Sequence, residues 1–185
     1  LLFHKSRLAL AGLSPRRVDM SATDYLSFLP LLIYGIAIAD LLGKWKRLFD
    51  LKTFFLPYAL FTIMLTEVAL YNVFIYAELI NDLEGLAYGQ YLIFLLPPFL
   101  FMMVANVFTP DAGEETRHYF LKQRPIFFTL LSVFIGTHFL YDFNEAPFLV
   151  YARVMFVIIV FAAGFVKKIW PSYVIFVLWL LSITF

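Results

Sequence analysis

The chain has 185 residues, of which 63% are hydrophobic and only 15% are charged, and its formal net charge is +1. A soluble domain is typically about 45–50% apolar and about 25% charged, so this composition excludes an ordinary water-soluble domain and predicts that lipid is the solvent for most of the surface. The small net charge gives no reason to expect a nucleic-acid partner, and the absence of cysteine excludes disulfides, thiolate catalysis and Cys-ligated metal centres.

The first nineteen residues differ from the rest of the chain. The stretch LLFHKSRLALAGLSPRRVD is basic and has no acid before Asp19, and Met20 opens a plausible natural start, MSATDYLSF. Three interpretations fit: a non-native extension, an organelle presequence, or a native basic arm that lies on the membrane. We therefore predict two parts, with residues 1–19 as this extension, presequence or arm, and residues 20–185 as a single six-helix transmembrane domain.

Six apolar runs follow, each of about 17–25 residues, which is the length of a transmembrane helix. Pro97-Pro98 falls in the middle of the third run and predicts a kink there. The short connections favour antiparallel neighbours, so the predicted fold class is an all-α polytopic transmembrane bundle of six spans arranged as three hairpins. The runs cover residues 25–43, 53–77, 91–107, 125–143, 147–166 and 169–185, and the prolines predicted near helix starts are Pro57, Pro125, Pro147 and Pro171.

Basic and acidic residues alternate along the predicted connections. The second and fourth connections hold no Lys or Arg and carry Glu78, Asp82, Glu84, Asp142 and Glu145. The positive-inside rule therefore predicts that the other three connections are cytoplasmic and that both termini lie outside. The expected location is the bacterial inner or plasma membrane, with the mitochondrial inner membrane as the alternative. The nine basic residues of the cytoplasmic connections are Lys44, Lys46, Arg47, Lys52, Arg117, Lys122, Arg124, Lys167 and Lys168.

One carboxylate, Glu67, lies deep in the second run, where an acidic residue costs about 2.5 kcal/mol or more. Tyr71 follows at i+4 on the same helical face, and His138 and Arg153 fall at overlapping depths in the fourth and fifth runs. We predict that Arg153 compensates Glu67 and that Tyr71 and His138 complete a polar cluster in the outer half of the bundle. Two interpretations stay open: a proton or cation site that opens outward, and a purely structural pair or a protonated, hydrogen-bonded Glu67.

Three further polar residues are secondary candidates. Asn72 flanks the Glu67 face, and Asp142 follows His138 at i+4, a spacing that suits two metal ligands or a carboxylate that orients the histidine. A metal needs a third ligand that the sequence does not offer at this depth, so we predict no metal. Asp40 is expected to reach the cytoplasmic interface and pair with Lys44, or else to form a cytoplasmic gate or ion site.

Enzyme signatures are absent from the sequence. It contains no G-x-S-x-G, no H-E-x-x-H, no phosphate-binding glycine loop and no dinucleotide fingerprint, so we predict no cofactor and favour a protein without catalytic activity. The heavy phenylalanine content favours an accessory or assembly subunit that contacts lipid and other membrane subunits or copies of itself. The kinked third run and the cluster at Glu67, His138 and Arg153 favour the alternative, a small transporter or channel. An intramembrane enzyme is the third interpretation.

Overall fold

The computed structural model describes residues 22–50, 54–79, 87–111, 113–140 and 147–184, and within these ranges the protein is all-helical, without strands. This confirms the predicted all-α class. The segment 1–19 and Asp142 lie outside the described residues. A single helical turn, Lys46–Phe49, and a 3-10 turn, His138–Leu140, accompany the six longer helices, which are α1 Ala22–Gly43, α2 Leu56–Leu79, α3 Tyr88–Phe108, α4 Thr116–Thr137, α5 Pro147–Phe165 and α6 Trp170–Thr184.

Four helical stretches of the described chain are long and apolar enough to cross a membrane, which is the build of an integral membrane protein. They are Phe28–Phe49, Leu56–Tyr76, Tyr88–Phe108 and Phe148–Phe165, and Trp170–Ile183 is a shorter apolar helix.

Helix α4 departs from the predicted fourth span. The prediction placed this span at 125–143 with Pro125 at its start, but the helix begins at Thr116 and ends at Thr137, so Pro125 lies inside it. The prediction was wrong because it treated Arg117, Lys122 and Arg124 as a loop, whereas they occupy the first turns of the helix. A proline within a membrane helix is tolerated when neighbouring groups satisfy the freed carbonyl.

Helices α1 and α3 run parallel. Two hydrogen bonds show this, since one joins the starts of the helices and the other joins their ends. The Tyr91 hydroxyl donates to the Leu26 carbonyl over 2.8 Å near the two helix starts. At the opposite end, the Thr109 hydroxyl donates to the Asp40 carboxylate over 3.2 Å.

Helix α2 runs antiparallel to α3. The Tyr58 ring near the start of α2 stacks on Phe108 at the end of α3, with ring centroids 4.6 Å apart. The Tyr76 hydroxyl near the end of α2 donates to the carbonyl of Phe94 near the start of α3 over 2.8 Å. The predicted pairs α1–α2 and α3–α4 are in contact, but α5 packs much more extensively against α4 than against α6.

A close approach at Gly164 lets α5 lie against α4. A Cβ atom at this position would be 3.2 Å from the Phe128 Cβ and 3.4 Å from the Pro125 Cα. The missing side chain therefore permits tight backbone packing, as is usual where membrane helices touch. Helix α6 completes the bundle by contacting α2 and, more sparsely, α5.

Two aromatic layers fill the space between the helices. At the level of the basic connections, Phe61 of α2 meets Phe127 and Phe128 of α4 edge-on, with centroids 5.5 and 5.4 Å apart, and all three rings are buried. Such pairs contribute about 0.5–1.5 kcal/mol each beyond the area that they bury. The second layer lies nearer the opposite end and surrounds the polar group described below.

Arg47 ties two of the basic connections together. Its Nη1 donates to the Glu114 carbonyl over 2.8 Å and its Nη2 donates to the Asp111 carbonyl. The connection after α1 and the connection after α3 therefore lie side by side at one end of the bundle, which we call the basic end.

Candidate functional site

Three helices bring one buried polar group together, which we call the Tyr–Asn–His group: Tyr34 of α1, Asn72 of α2 and His138 at the end of α4. The Tyr34 hydroxyl donates to Asn72 Oδ1 over 3.1 Å, and His138 Nε2 lies 3.3 Å from the same oxygen. Tyr34 is fully buried and Asn72 is 4% exposed, whereas His138 is half-buried. One amide oxygen thus connects α1, α2 and α4.

Local backbone contacts fix the orientation of this group. Asn72 Nδ2 donates to the Val68 carbonyl over 2.8 Å, so the amide oxygen is the atom that faces Tyr34 and His138. On the other side of the imidazole, Nδ1 lies 3.2 Å from the Phe134 carbonyl. Asn72 follows the buried residues Leu65 and Ala69 along the inner face of α2.

Both ring nitrogens of His138 therefore face oxygen atoms. The Phe134 carbonyl can only accept, and Asn72 Oδ1 also acts as an acceptor because its Nδ2 is directed to Val68. A neutral imidazole carries one N–H and satisfies only one of these oxygens, whereas the protonated ring carries two. The group is thus chemically able to hold a proton on His138.

Aromatic rings enclose the group on its core side. The Tyr34 ring lies 5.5 Å from both Tyr76 and Phe101, centroid to centroid. The Phe134 ring lies 5.2 Å from Phe101 and 5.0 Å from the imidazole of His138. In such a low-dielectric setting a satisfied hydrogen bond is strong and an unsatisfied polar atom is costly.

The two other members of the predicted cluster on α2 are placed differently. Glu67 is half-buried, and the side chain of Trp179 on α6 lies near its carboxylate. Tyr71 is 54% exposed on the surface of α2, and its place in the predicted cluster stays a prediction. The inner face instead passes through Asn72, a residue that the sequence indicated only as a secondary candidate.

Arg153 lies on α5, beside the end of α4. Its guanidinium carbon is 5.5 Å from the centre of the Phe139 ring, and the side chain is half-buried. Among the described residues the Glu67 carboxylate contacts Trp179, and its pairing with Arg153 stays a prediction. Of the predicted residues, the structure brings together Asn72 and His138.

Asp40 has a structural contact at the basic end. It is half-buried and accepts the hydrogen bond from Thr109 that joins α1 to the end of α3. Its predicted pairing with Lys44 stays a prediction. Within the described ranges, no group of three or more His, Cys, Asp or Glu side chains could hold a metal ion.

An open groove runs between α4 and α5 on the outer surface. Its volume is about 500 Å³ and its lining is largely apolar, with the exposed side chains of Ile158 and Phe161 on the α5 side. The remaining lining residues are Ser132, Val133, Gly136, Thr137, Leu140 and Val157. The groove suits an acyl chain or an apolar side chain better than a polar solute.

No family model, curated protein or solved structure matches the chain.

Proposed function

We propose that the protein is a non-catalytic membrane subunit that spans the bilayer six times, has both ends outside, and packs against a larger membrane partner. The observation that carries this proposal is the dispersal of the polar residues. Glu67 contacts α6, Arg153 lies over Phe139, and Asn72 and His138 belong to a group enclosed by aromatic rings. The groove found in the described part is mainly apolar. A transport pathway calls for polar groups that converge on a water-filled cavity.

Helix α5 offers the surface for such a partner. A stripe of large side chains at helical spacing is exposed along it: Tyr151 is 72% exposed, Met155 57%, Ile158 54% and Phe165 62%. We call this stripe the α5 flank. It borders the groove between α4 and α5, which can receive an apolar side chain of the partner.

Site-specific photo-crosslinking in native membranes tests whether a partner protein contacts the α5 flank. With a photoreactive amino acid at Met155 we expect a crosslinked protein adduct of one discrete mass. The matched control is Ile36 of α1, which is 51% exposed and outside the flank. From Ile36 we expect lipid adducts alone, because bilayer lipid covers that face. Equal protein adducts from both positions, or none from either, would contradict the proposal.

The alternative function is a small proton-coupled transporter, and the observation that favours it is the pair of acceptors facing His138. A flux measurement separates the two. Purified protein in liposomes that contain a pH-sensitive dye should give no proton flux above that of empty liposomes. A saturable flux that His138→Gln abolishes, with the protein still folded, would overturn the subunit proposal and favour transport.

The six-span topology is tested by cysteine labelling, for which the cysteine-free chain is convenient. Tyr88 is 77% exposed at the start of α3, and Lys46 is exposed at the basic end. We expect an impermeant thiol reagent to label Tyr88→Cys in intact cells and Lys46→Cys only after permeabilisation. The positive-inside rule is the physical reason. Labelling of Lys46→Cys in intact cells would show that the orientation is the opposite of the proposed one.

A further inference from the structure

Buried polar atoms without a partner collect at the basic end. In the described part of the chain, five buried side-chain nitrogen or oxygen atoms have no hydrogen-bond partner, and they belong to Trp45, Thr116, Arg124 and Ser172. Trp45 follows α1, Thr116 and Arg124 lie in the first turns of α4, and Ser172 lies in the first turn of α6. The Tyr–Asn–His group contributes none of these atoms.

Arg124 is the charged member of this set. Its side chain is 3% exposed, and both Nε and Nη2 lack a partner. These two nitrogens form one edge of the planar guanidinium, and their N–H bonds point in parallel. That edge matches two oxygens of a phosphate or carboxylate, and the guanidinium stays charged when buried. A buried cation without a counter-charge is strongly destabilising. An oxyanion bound at this edge would supply the counter-charge and accept both hydrogen bonds.

The neighbours of Arg124 show which side of the bundle it faces. Its guanidinium carbon lies 5.8 Å from the ring centre of Phe128, one turn further along the same face of α4. Phe128 in turn contacts Phe61 of α2 and closely approaches Gly164 of α5. Arg124 therefore faces the region where α2 and α5 meet α4 at the basic end.

Helix α6 begins at the same end of the bundle, and it also contacts α2 and α5. The hydroxyl of Ser172 in its first turn is 1% exposed and is one of the unpartnered atoms. Helices α5 and α6 contact each other sparsely, and the exposed Lys167 and Lys168 lie in the connection between them. Two exposed cations beside this sparse helix contact are suited to attract an anion.

We propose that the basic end holds a binding site for the phosphate of an anionic lipid headgroup. In this site Arg124 donates two hydrogen bonds, Ser172 donates one, and Lys167 and Lys168 attract the anion to the ends of α5 and α6. The source is lipid because the site lies where apolar helices end and basic residues begin, which is the level of the headgroups. The site is independent of the subunit proposal.

Thermal unfolding of the detergent-purified protein tests this site with three additives: phosphatidylglycerol, phosphatidylcholine and inorganic phosphate. We expect phosphatidylglycerol to raise the Tm of the unaltered protein by about 5 °C or more, and the other two additives to raise it by less than about 1 °C. Arg124→Gln should lose the response. The matched control is Arg117→Gln, which removes an exposed charge from the same end of α4 and should keep the response. Arg124→Lys should keep only part of it, because an ammonium cannot bond bidentately.

Several outcomes would overturn the proposal. They are an equal Tm increase with phosphatidylcholine, no increase with any additive, and an undiminished response in Arg124→Gln. An equal Tm increase with inorganic phosphate would show that the ligand is free phosphate and not a lipid headgroup. If Arg124→Gln does not fold, the comparison of Arg124→Lys with Arg117→Gln carries the test. Native mass spectrometry should then find fewer bound phosphatidylglycerol molecules on Arg124→Lys than on Arg117→Gln, and equal numbers would contradict the site.

Discussion

Replacing Asn72 with leucine should lower the free energy of unfolding by about 2–3 kcal/mol, because it leaves two partners unsatisfied at once. The Tyr34 hydroxyl loses its acceptor, and His138 Nε2 loses the oxygen that lies 3.3 Å away. Leucine has a similar volume, so lost packing contributes little. The measurement is unfolding of the purified protein by denaturing detergent, followed by tryptophan fluorescence. The matched control is Asn106→Leu, since Asn106 is exposed on α3 and should cost less than about 0.5 kcal/mol.

A double variant shows whether the loss arises from the hydrogen bond between Tyr34 and Asn72. Tyr34→Phe removes that hydroxyl and leaves the ring, so it keeps the contacts with Tyr76 and Phe101. Removing both partners of a buried hydrogen bond is less costly than removing one. The combination of Tyr34→Phe with Asn72→Leu should therefore be at least about 0.5 kcal/mol more stable than the sum of the two single changes predicts. Strict additivity would show that the two side chains do not depend on each other.

The fold class could be predicted because composition and run length are properties of the sequence alone. A chain that is 63% hydrophobic with apolar runs of helical length has few alternatives to an all-α membrane bundle. The boundaries of α4 could not be predicted in the same way. Arg117, Lys122 and Arg124 look like a cytoplasmic loop, yet the helix includes all three. The exposed Arg117 and Lys122 can extend towards water from the end of a membrane helix, whereas Arg124 is buried inside the bundle. Pro125 added to the error, since proline is as compatible with a helix start as with this interior position.

The candidate site was only partly predictable, because a charged residue is the most conspicuous polar residue in an apolar run. Glu67 is the deepest acid in the chain, but an uncharged amide, Asn72, connects the three helices. A signal was present in the sequence: Leu65, Ala69, Asn72 and Tyr76 follow one another at spacings of four, three and four. This is the inner stripe of an α-helix, and all four residues are buried.

The partner of Asn72 could not be deduced at all. His138 reaches Asn72 because the end of α4 lies beside the C-terminal half of α2, and that neighbourhood depends on the packing order of the helices. Short connections favour contacts between consecutive helices, and α2 and α4 are not consecutive. The extensive packing of α5 on α4 was unpredictable for a similar reason, since it depends on how closely Gly164 lets the two backbones approach.

Neutralising Glu67 should change stability little, in contrast to the effect expected from a buried pair with Arg153. In Glu67→Gln a neutral amide of nearly the same size stays beside Trp179, and no carboxyl group has to be accommodated in an apolar helix. We therefore expect the free energy of unfolding to change by less than about 1 kcal/mol, whereas removing one partner of a buried ion pair costs about 3–5 kcal/mol. The measurement is the same detergent titration, applied to Glu67→Gln, Arg153→Gln and their combination.

Trp179 is the partner that should matter instead. Trp179→Phe removes the indole N–H beside the Glu67 carboxyl group, and we expect the lost polar interaction to cost about 1 kcal/mol, in addition to the smaller ring. The matched control is Trp170→Phe, because Trp170 is 56% exposed at the other end of α6. In a Glu67→Leu background the part of the Trp179→Phe loss that comes from this polar interaction should disappear, since no acceptor is left. A loss of 3–5 kcal/mol in each of Glu67→Gln and Arg153→Gln, with recovery when they are combined, would instead establish the ion pair that the sequence predicts.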